Sequence, residues 1–582
     1  MKFSVLFLPF IIIPQILTAQ PPRIFIDEEF NDWQNIPALV TDPNGDNNNA
    51  DIDFGKLWIT NDQENLFLRI EVGGEINLQD NNYITLYLDT DNNASTGIPT
   101  HGIGAELAYN FGGRAGEITL GGPTQPVFQN DIKLVSSPTV TSTEFEIAIS
   151  RNTFYNELPL FGQDSFRICL IDQANPGLDQ VPDNAGGISY SFAPNLNDSL
   201  PPFSISQTNS QHLRILSYNV LSNNLFEPGL QGNFQRIIQA INPAIIGFQE
   251  IYSHTSAEVA TKMETFLPSA AGEQWYHSSV MPDIKVVSRY PVIGTYPIPN
   301  SGNGAFLIDL GDRDMFFIVA HPPCCANNEA RQAEIDAMMG FLRDARNGLI
   351  GGLTLENETP IVIVGDMNLV GFKTQKETML TGDILDESAY GPDFTPDWDG
   401  SALEDSKPYT TGLPMTFTWY AENSSFSPGR LDYIVYSGSV MNLENSFALF
   451  TPELSGDSLA LYNLQADDVV LASDHLPVVA DFSFGEATAV EPVGDEQTLA
   501  IQVFPNPTRD LVTLNYFLPQ NGDVEITIYS VEGNKVLEKH TGNRSAGNHE
   551  AQVDLGAFSN GVYLVRLRSR NRQSFCKIIV GR

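Results

Sequence analysis

The chain has 582 residues, with 31 Lys and Arg against 71 Asp and Glu, a formal net charge of −40. That length exceeds a single hydrophobic core and calls for about three or four domains of roughly 100–200 residues each. The acidic balance repels phosphate polymers at long range and excludes a broad basic footprint for tight nucleic-acid binding.

The chain opens with Met1-Lys2, an apolar run from Phe3 to Ile16, and Leu17-Thr18-Ala19. A basic start, a short apolar middle and a small residue predict a secretory signal peptide over residues 1–19. No later run is long and apolar enough to predict a membrane span. Four cysteines are too few for a disulfide scaffold. Cys169 in FRICLI and Cys576 in FCKIIV read as small buried hydrophobes. The adjacent Cys324 and Cys325 leave a vicinal disulfide, a metal contact and simple packing open.

From 20 to 210 short alternating runs, KLWIT, LFLRIEV, YITLYLD, EFEIAIS and SFRICLI, are separated by Asn/Asp/Gly turns. This pattern predicts an all-β sandwich. Two Asp-rich turns stand out: one holds Asp42 and Asp46, the other Asp89 and Asp91, with Glu106 further on. Carboxylates at such spacings suit Ca²⁺, and the alternative is that Asp and Asn simply make good turns. The order DEEFNDW, DIDFGKLWITNDQENLFLRIEV and YLDTDNNASTG resembles family-9-type carbohydrate-binding and DOMON-like sandwiches. The resemblance implies a binding module with carbohydrate as a candidate partner, and it does not fix the ligand.

From 211 to 485 strand runs alternate with helical patterns such as NFQRIIQAI and EARQAEIDAMMGFLRDA, predicting a layered α/β fold. Polar residues stand at the ends of its apolar runs: Asn219 after RILSY, Glu250 after AIIGFQ, His321 after MFFIVA, and Asp366 with Asn368 after PIVIVG. Asp432 opens DYIVY, and Asp474-His475 precede LPVV. Side chains gathered at strand ends are how a rigid sheet holds a metal and a base in fixed geometry. Carboxylate and amide oxygens with only two histidines favour Mg²⁺ or Mn²⁺ over Zn²⁺.

In order, SYNVL, GFQEI, VAHPP, GDMN, RLDYIVYS and SDHLPV resemble the endonuclease/exonuclease/phosphatase superfamily, deoxyribonuclease I among its members. The resemblance implies a four-layer αββα sandwich. It further implies Glu250 as metal ligand with Asn219 beside it and Asp474 near the metal. His475 would be the base oriented by Asp432, with Asp366 and Asn368 positioning the phosphate, the nucleophile or a second ion and His321 donating to a phosphate oxygen or the leaving group. Asp283 lies in about the right region to partner His321. Arg430 leaves a phosphate contact and a structural salt bridge open.

Residues 486–499 read as an acidic linker. From 500 to 582, FPNP, the GNKV turn, NGVYLVRL and KIIV resemble the type A sorting domain of type IX secretion cargo, which implies a small β-sandwich and export by that machinery. The whole reads as a multidomain, secreted or cell-surface phosphoesterase acting on a phosphate-ester substrate by direct water attack. The alternatives are an extracellular nuclease degrading DNA or RNA, or an adhesion protein whose catalytic module is inactive. The central segment carries 13 Lys/Arg against 34 Asp/Glu, a net of −21, which weighs against duplex DNA.

Overall fold

The computed structural model describes residues 23–47, 51–174, 179–194, 200, 203–484, 500–504, 508–518, 521–530, 535–569 and 572–581. The signal peptide, the linker and the turn at Glu532 lie outside the described residues. Two compact units appear, residues 1–486 and 487–582.

The first unit begins with a sandwich of two antiparallel sheets. One carries Lys56–Asn61, Asn65–Ile76 and Ser142–Ser150, and the other Ile84–Asp89, Leu107–Asn110 and Ser165–Asp172. Alternate residues such as Leu57, Ile59, Leu66, Leu68, Leu86, Leu88, Phe145 and Phe166 point inward and form one core. Period-two burial of this kind is what closes two sheets face to face.

The rest of the unit is α/β. Its strands are β1 (Leu213–Asn219), β2 (Ile245–Gln249), β3 (Lys285–Ser288), β4 (Gly304–Asp309), β5 (Asp314–Ala320), β6 (Ile361–Asp366), β7 (Asp432–Tyr436), β8 (Met441–Ala448) and β9 (Val478–Phe484). One sheet contains β3-β2-β1-β9-β8, the other β4-β5-β6-β7. Both are built alike. In each a parallel pair, β1 with β2 and β5 with β6, is followed by an antiparallel neighbour, β9 and β7.

The sheets stack directly. A Cβ on Gly247 of β2 would sit 2.7 Å from Val364 of β6, so glycine is needed where the layers touch. Ile215, Phe248, Phe317, Val364 and Ile434 fill the space between them. Helix α1 (Gln231–Ile241) covers the first sheet with Phe234, Ile237, Ile238 and Ile241, a 3.6-residue spacing that buries all four. Helix α2 (Ser256–Phe266) starts with a capping box in which Thr255 and Glu258 satisfy each other's backbone. Helix α3 (Asn328–Arg346) buries Ile335, Met338, Met339 and Leu342 on the outer face of the second sheet. Helix, sheet, sheet, helix is the four-layer order the sequence predicts.

The sandwich is fastened to this body. Ile26 pairs with Met415 in a parallel bridge, and Thr139 Oγ1 and Asn77 Nδ2 donate to the carbonyls of Leu369 and Val370, at 2.7 and 2.9 Å. Those carbonyls directly follow Asn368, so the sandwich backs the loop that leaves β6.

The second unit, described by itself, is a small β-sandwich. Ala500–Phe504, Leu511–Leu518 and Gly547–Asp554 form one sheet; Lys535–Arg544, Gly522–Ser530, Gly561–Ser569 and Arg572–Val580 form the other.

Candidate active site

Because β1, β2, β5 and β6 run parallel within their pairs and β7 and β9 run against them, the ends of the first four and the starts of the last two meet at one edge. Ligand sites in open α/β sheets form at such strand ends. Gly365 makes the last step possible: it has φ +151°, and a Cβ there would lie 1.8 Å from the Ala320 carbonyl. The tight pairing of β5 and β6 therefore carries Asp366 up beside His321. Register then sets Asp366 opposite Asp432.

The side chains form a connected set. His475 Nδ1 donates to Asp432 Oδ2 at 2.8 Å, and its Nε2 lies 3.5 Å from Asp366 Oδ2. His321 is arranged in the same way: Nδ1 donates to Asp283 Oδ2 at 2.9 Å, and Nε2 is 3.5 Å from the same Asp366 oxygen. Asn219 Nδ2 donates to Glu250 Oε1 and to Asp366 Oδ2, both at 3.1 Å. It thus spaces the two carboxylates, while its own oxygen accepts from Leu221 N at 3.0 Å. Glu250 adopts φ +64° and its Oε2 accepts from Ser222 N at 2.8 Å. Strained backbone at a strand end is affordable only where the surroundings fix it.

Burial sharpens the electrostatics. Asp432 is 0 % exposed, Asp366 2 % and His475 6 %. Burial disfavours a charged ring, yet Asp432 and Asp366 outweigh it and push the His475 pKa up to about 10. Burial acts the same way on His321, and Asp283 and Asp366 raise it to about 10 as well. Burial alone would raise the Asp366 carboxyl, but His475 and His321 hold it below the usual range.

Asn368 follows with φ 52°, its backbone N–H donating to Asp366 Oδ1 at 3.0 Å and its Nδ2 to the Pro322 carbonyl at 3.1 Å. Asp474 Oδ2 accepts from Trp419 Nε1 at 3.1 Å, and its Oδ1 is buried with no hydrogen-bond partner. Glu250 and Asp366, linked through Asn219, offer carboxylate oxygens, and the buried unpartnered Oδ1 belongs to Asp474, next to His475 in sequence; oxygen donors of this kind suit a hard divalent cation. Asp366, Asp432 and His475 also converge within 4.8 Å.

Several positioning residues escape a reading of the sequence. Thr418 Oγ1 accepts from Leu431 N and Asp432 N and donates to Asp432 Oδ2 at 2.8 Å. Ser473 Oγ donates to the Asn219 carbonyl, and Asn303 Oδ1 accepts from His321 N, both at 2.8 Å. Thr418 lies in TFTWY, an ordinary alternating run; nothing in it announces a distant aspartate. Arg430 is buried in a structural ion pair: it is 2 % exposed, pairs with Asp405 and lies 3.9 Å from Glu28. Cys324 and Cys325 are exposed and form no disulfide. The Asp turns of the first sandwich separate into two groups. Asp42 and Asp46 gather with Asp183, and Asp89 and Asp91 with Glu106.

A cavity of about 1060 Å³ runs from Ser473 and Asp474 past Tyr420 to Gln129 and Asn130, so the first sandwich supplies part of a wall beside the site.

Two stacked sheets with a histidine–carboxylate pair and further carboxylates at one edge are the arrangement of a phosphoesterase-type hydrolase. Residues 216–475 match the Endonuclease/Exonuclease/phosphatase family, and residues 502–581 match the Secretion system C-terminal sorting domain. The chain therefore carries an endonuclease/exonuclease/phosphatase domain and a type IX sorting domain, the latter marking it for export and for release or attachment at the cell surface. No described helix is long and apolar enough to cross a membrane. Similar structures include the human Nocturnin catalytic domain with bound sulfate, at 18 % identity over 47 % of this chain and 95 % of that one, TM-score 0.30. A humanized D. rerio TDP2 shows 12 % identity over 47 % and 100 %, TM-score 0.31. ANGEL2, a 2',3'-cyclic phosphatase in complex with adenosine-2',3'-vanadate, shows 14 % over 47 % and 95 %, TM-score 0.31. Among curated proteins none matches the chain.

Proposed function

We propose that residues 211–485 form a divalent-metal-dependent phosphoesterase, using Mg²⁺ or Mn²⁺, that hydrolyses a phosphodiester or phosphomonoester by direct attack of water. The observation that carries this reading is the His475 ring, fixed by Asp432 on one nitrogen and turned toward Asp366 on the other.

In this mechanism Asp432 selects the tautomer of His475 and stabilises the imidazolium formed when Nε2 takes a proton from the attacking water. The water oxygen bonds to phosphorus as the ester P–O bond breaks. His321, held protonated by Asp283 and Asp366, gives its Nε2 proton to the leaving oxygen or to a phosphate oxygen. Asp366 and Asn368 hold the phosphate or the nucleophile between the two rings. Glu250, with Asp474 and the Asn219 spacer, would hold the cation. When bound, that ion would supply positive charge for the developing oxyanion and would bring the His475 pKa down toward the working range.

The remaining assignments complete the proposal: residues 1–19 as signal peptide, 20–210 as the sandwich, 486–499 as linker and 500–582 as the sorting domain. The deciding experiment is hydrolysis by the mature protein of a model phosphodiester, a model phosphomonoester, RNA and duplex DNA, with Mg²⁺ and with chelator, beside His475→Ala. Chelator-sensitive turnover lost in the variant is expected, and the preferred ester names the branch. Turnover that survives both treatments overturns the reading, and inactivity on every substrate favours the adhesion-protein alternative.

A further inference from the structure

Away from the catalytic edge, one side of the first sandwich gathers five carboxylates from segments far apart in sequence. Asp42, Asp46 and Asp183 each bring an oxygen within 4.8 Å of the others, and Asp46, Asp53 and Asp179 do the same, with Asp46 common to both sets. No Lys or Arg pairs with any of the five among the described residues. Two of them have ordinary partners: Asp53 accepts from Gly45 N at 3.0 Å, and Asp179 from Phe54 N at 2.5 Å and Gln180 N at 2.8 Å. Those bonds are what a turn-forming aspartate makes.

Asp42 is different. It is 6 % exposed, and its Oδ2 is buried with no hydrogen-bond partner. A buried carboxylate without donors, facing further carboxylates, is unfavourable in water-excluded surroundings unless a proton or a cation offsets it. Burial, and then Asp179, Asp183, Asp46 and Asp53, push the Asp42 pKa up to about 7. A proton would relieve Asp42 alone and leave the other four facing one another. A divalent cation among Asp42, Asp46 and Asp183 would offset Asp42 and, through the shared Asp46, lower the repulsion felt from Asp53 and Asp179.

We propose that Asp42, Asp46 and Asp183, with Asp53 and Asp179 gathered beside them around Asp46, form a Ca²⁺ site that ties the turn of Asp42 and Asp46 to Asp183 of the sandwich. Calcium takes six to eight oxygen ligands in flexible geometry, which suits carboxylates on turns, whereas Mg²⁺ demands a compact octahedron. The Asp89, Asp91 and Glu106 group also holds a buried unpartnered oxygen, Glu106 Oε1, but it has more donors around it. Thr90 N donates to Glu106 Oε2 at 2.7 Å, Asn93 N to Asp91 Oδ1 at 2.9 Å and Thr96 Oγ1 to Asp91 Oδ2 at 2.9 Å, so its charge is already partly offset. The inference is independent of the phosphoesterase reading.

The test is calorimetric titration of the chelator-stripped full-length chain with CaCl₂, wild type beside Asp42→Asn and Asp46→Asn, with thermal melts of each in chelator and in calcium. The expected result is that each variant binds one Ca²⁺ fewer per chain, or binds it about tenfold or more weakly, as loss of one ligand charge should cause. The calcium-dependent rise in Tm should shrink in parallel. In chelator Asp42→Asn should melt no lower than wild type, because a buried repulsive charge is gone, which also shows that it folds. Exposed Asp46 gives a second variant should Asp42→Asn misfold. Equal stoichiometry, affinity and Tm gain in wild type and variants overturn the site, as does a wild type that binds no Ca²⁺.

Discussion

His475 and His321 each turn an Nε2 toward the same oxygen of Asp366, at 3.5 Å in both cases, while each Nδ1 is held by a carboxylate of its own. One acid thus stands between two oriented imidazoles, and the two rings face a common point from different sheets. Only one of them needs to lose its proton for water attack; the other keeps its proton for the departing oxygen.

Asp432→Asn keeps the shape of the Asp432 side chain and removes its charge. The ring would then lose its fixed tautomer and the partner of its imidazolium. We expect kcat to fall by about 10²–10⁴-fold with KM little changed, the range for a positioned acid–base group. Steady-state kinetics against the preferred ester check this. A mainly raised KM would instead assign Asp432 to substrate binding.

Among the described residues Glu250 meets Asn219 and Ser222 but pairs with no Lys or Arg, so its charge is available to a cation. Glu250→Gln should raise the Mg²⁺ concentration for half-maximal activity by about tenfold or more. Chelator should abolish activity in the wild type, and excess metal should restore much of it in the variant. Metal titrations followed both by turnover and by Tm separate weakened binding from misfolding.

Most of the edge was legible in the sequence because each residue of the set sits at the end of an apolar run, where period and burial fix its position. Asp366 and Asn368 in GDMN and Asp474 and His475 in SDHLPV are of this kind. What escaped is held by loops. Thr418 reaches Asp432 across 14 positions, and Trp419 reaches Asp474 across 55, through chain whose local pattern carries no record of either contact. The same limit applies to the first sandwich. Asp42 and Asp46 were visible as a turn, but Asp179 and Asp183 join them only through the folding of the sheets. Arg430 stands two residues before Asp432, ahead of the first residue of β7, and its side chain goes to Asp405 and Glu28 rather than to the catalytic edge.

Arg430 is therefore a stability residue. It is buried with Asp405 beside it and Glu28 at 3.9 Å, and the Tyr433 ring lies 4.2 Å from its guanidinium. Removing one member of such a group strands the others: Arg430→Met should cost about 3–5 kcal/mol in the first unit. Denaturant unfolding followed by tryptophan fluorescence measures it, and KM for a phosphate ester should stay close to wild type. A large KM change with unaltered stability would return Arg430 to the substrate.

The seam between the first sandwich and the central domain carries a pH dependence of definite sign. Asp32 accepts from Phe25 N at 2.7 Å, its Oδ1 is buried without a partner, and burial, with Asp27 adding to it, raises its pKa to about 6. Burial likewise raises the Asp27 pKa to about 6, against the pull of Lys407. A carboxyl raised in the folded state binds its proton more tightly there than in the unfolded chain. Its contribution to stability is thus fully present below the unfolded value near 4 and is lost as pH rises through about 6. Asp32→Asn keeps an acceptor for Phe25 N and removes the titration. Melting wild type and variant side by side from about pH 4 to 8 should therefore show the wild type losing Tm relative to the variant across about pH 4–6, with the difference constant above. The difference, and not either curve alone, is the readout, because carboxylates elsewhere such as Asp366 are lowered and pull the absolute stability the other way. A difference that is flat across the whole range would mean that Asp32 ionises in the folded chain as it does in the unfolded one.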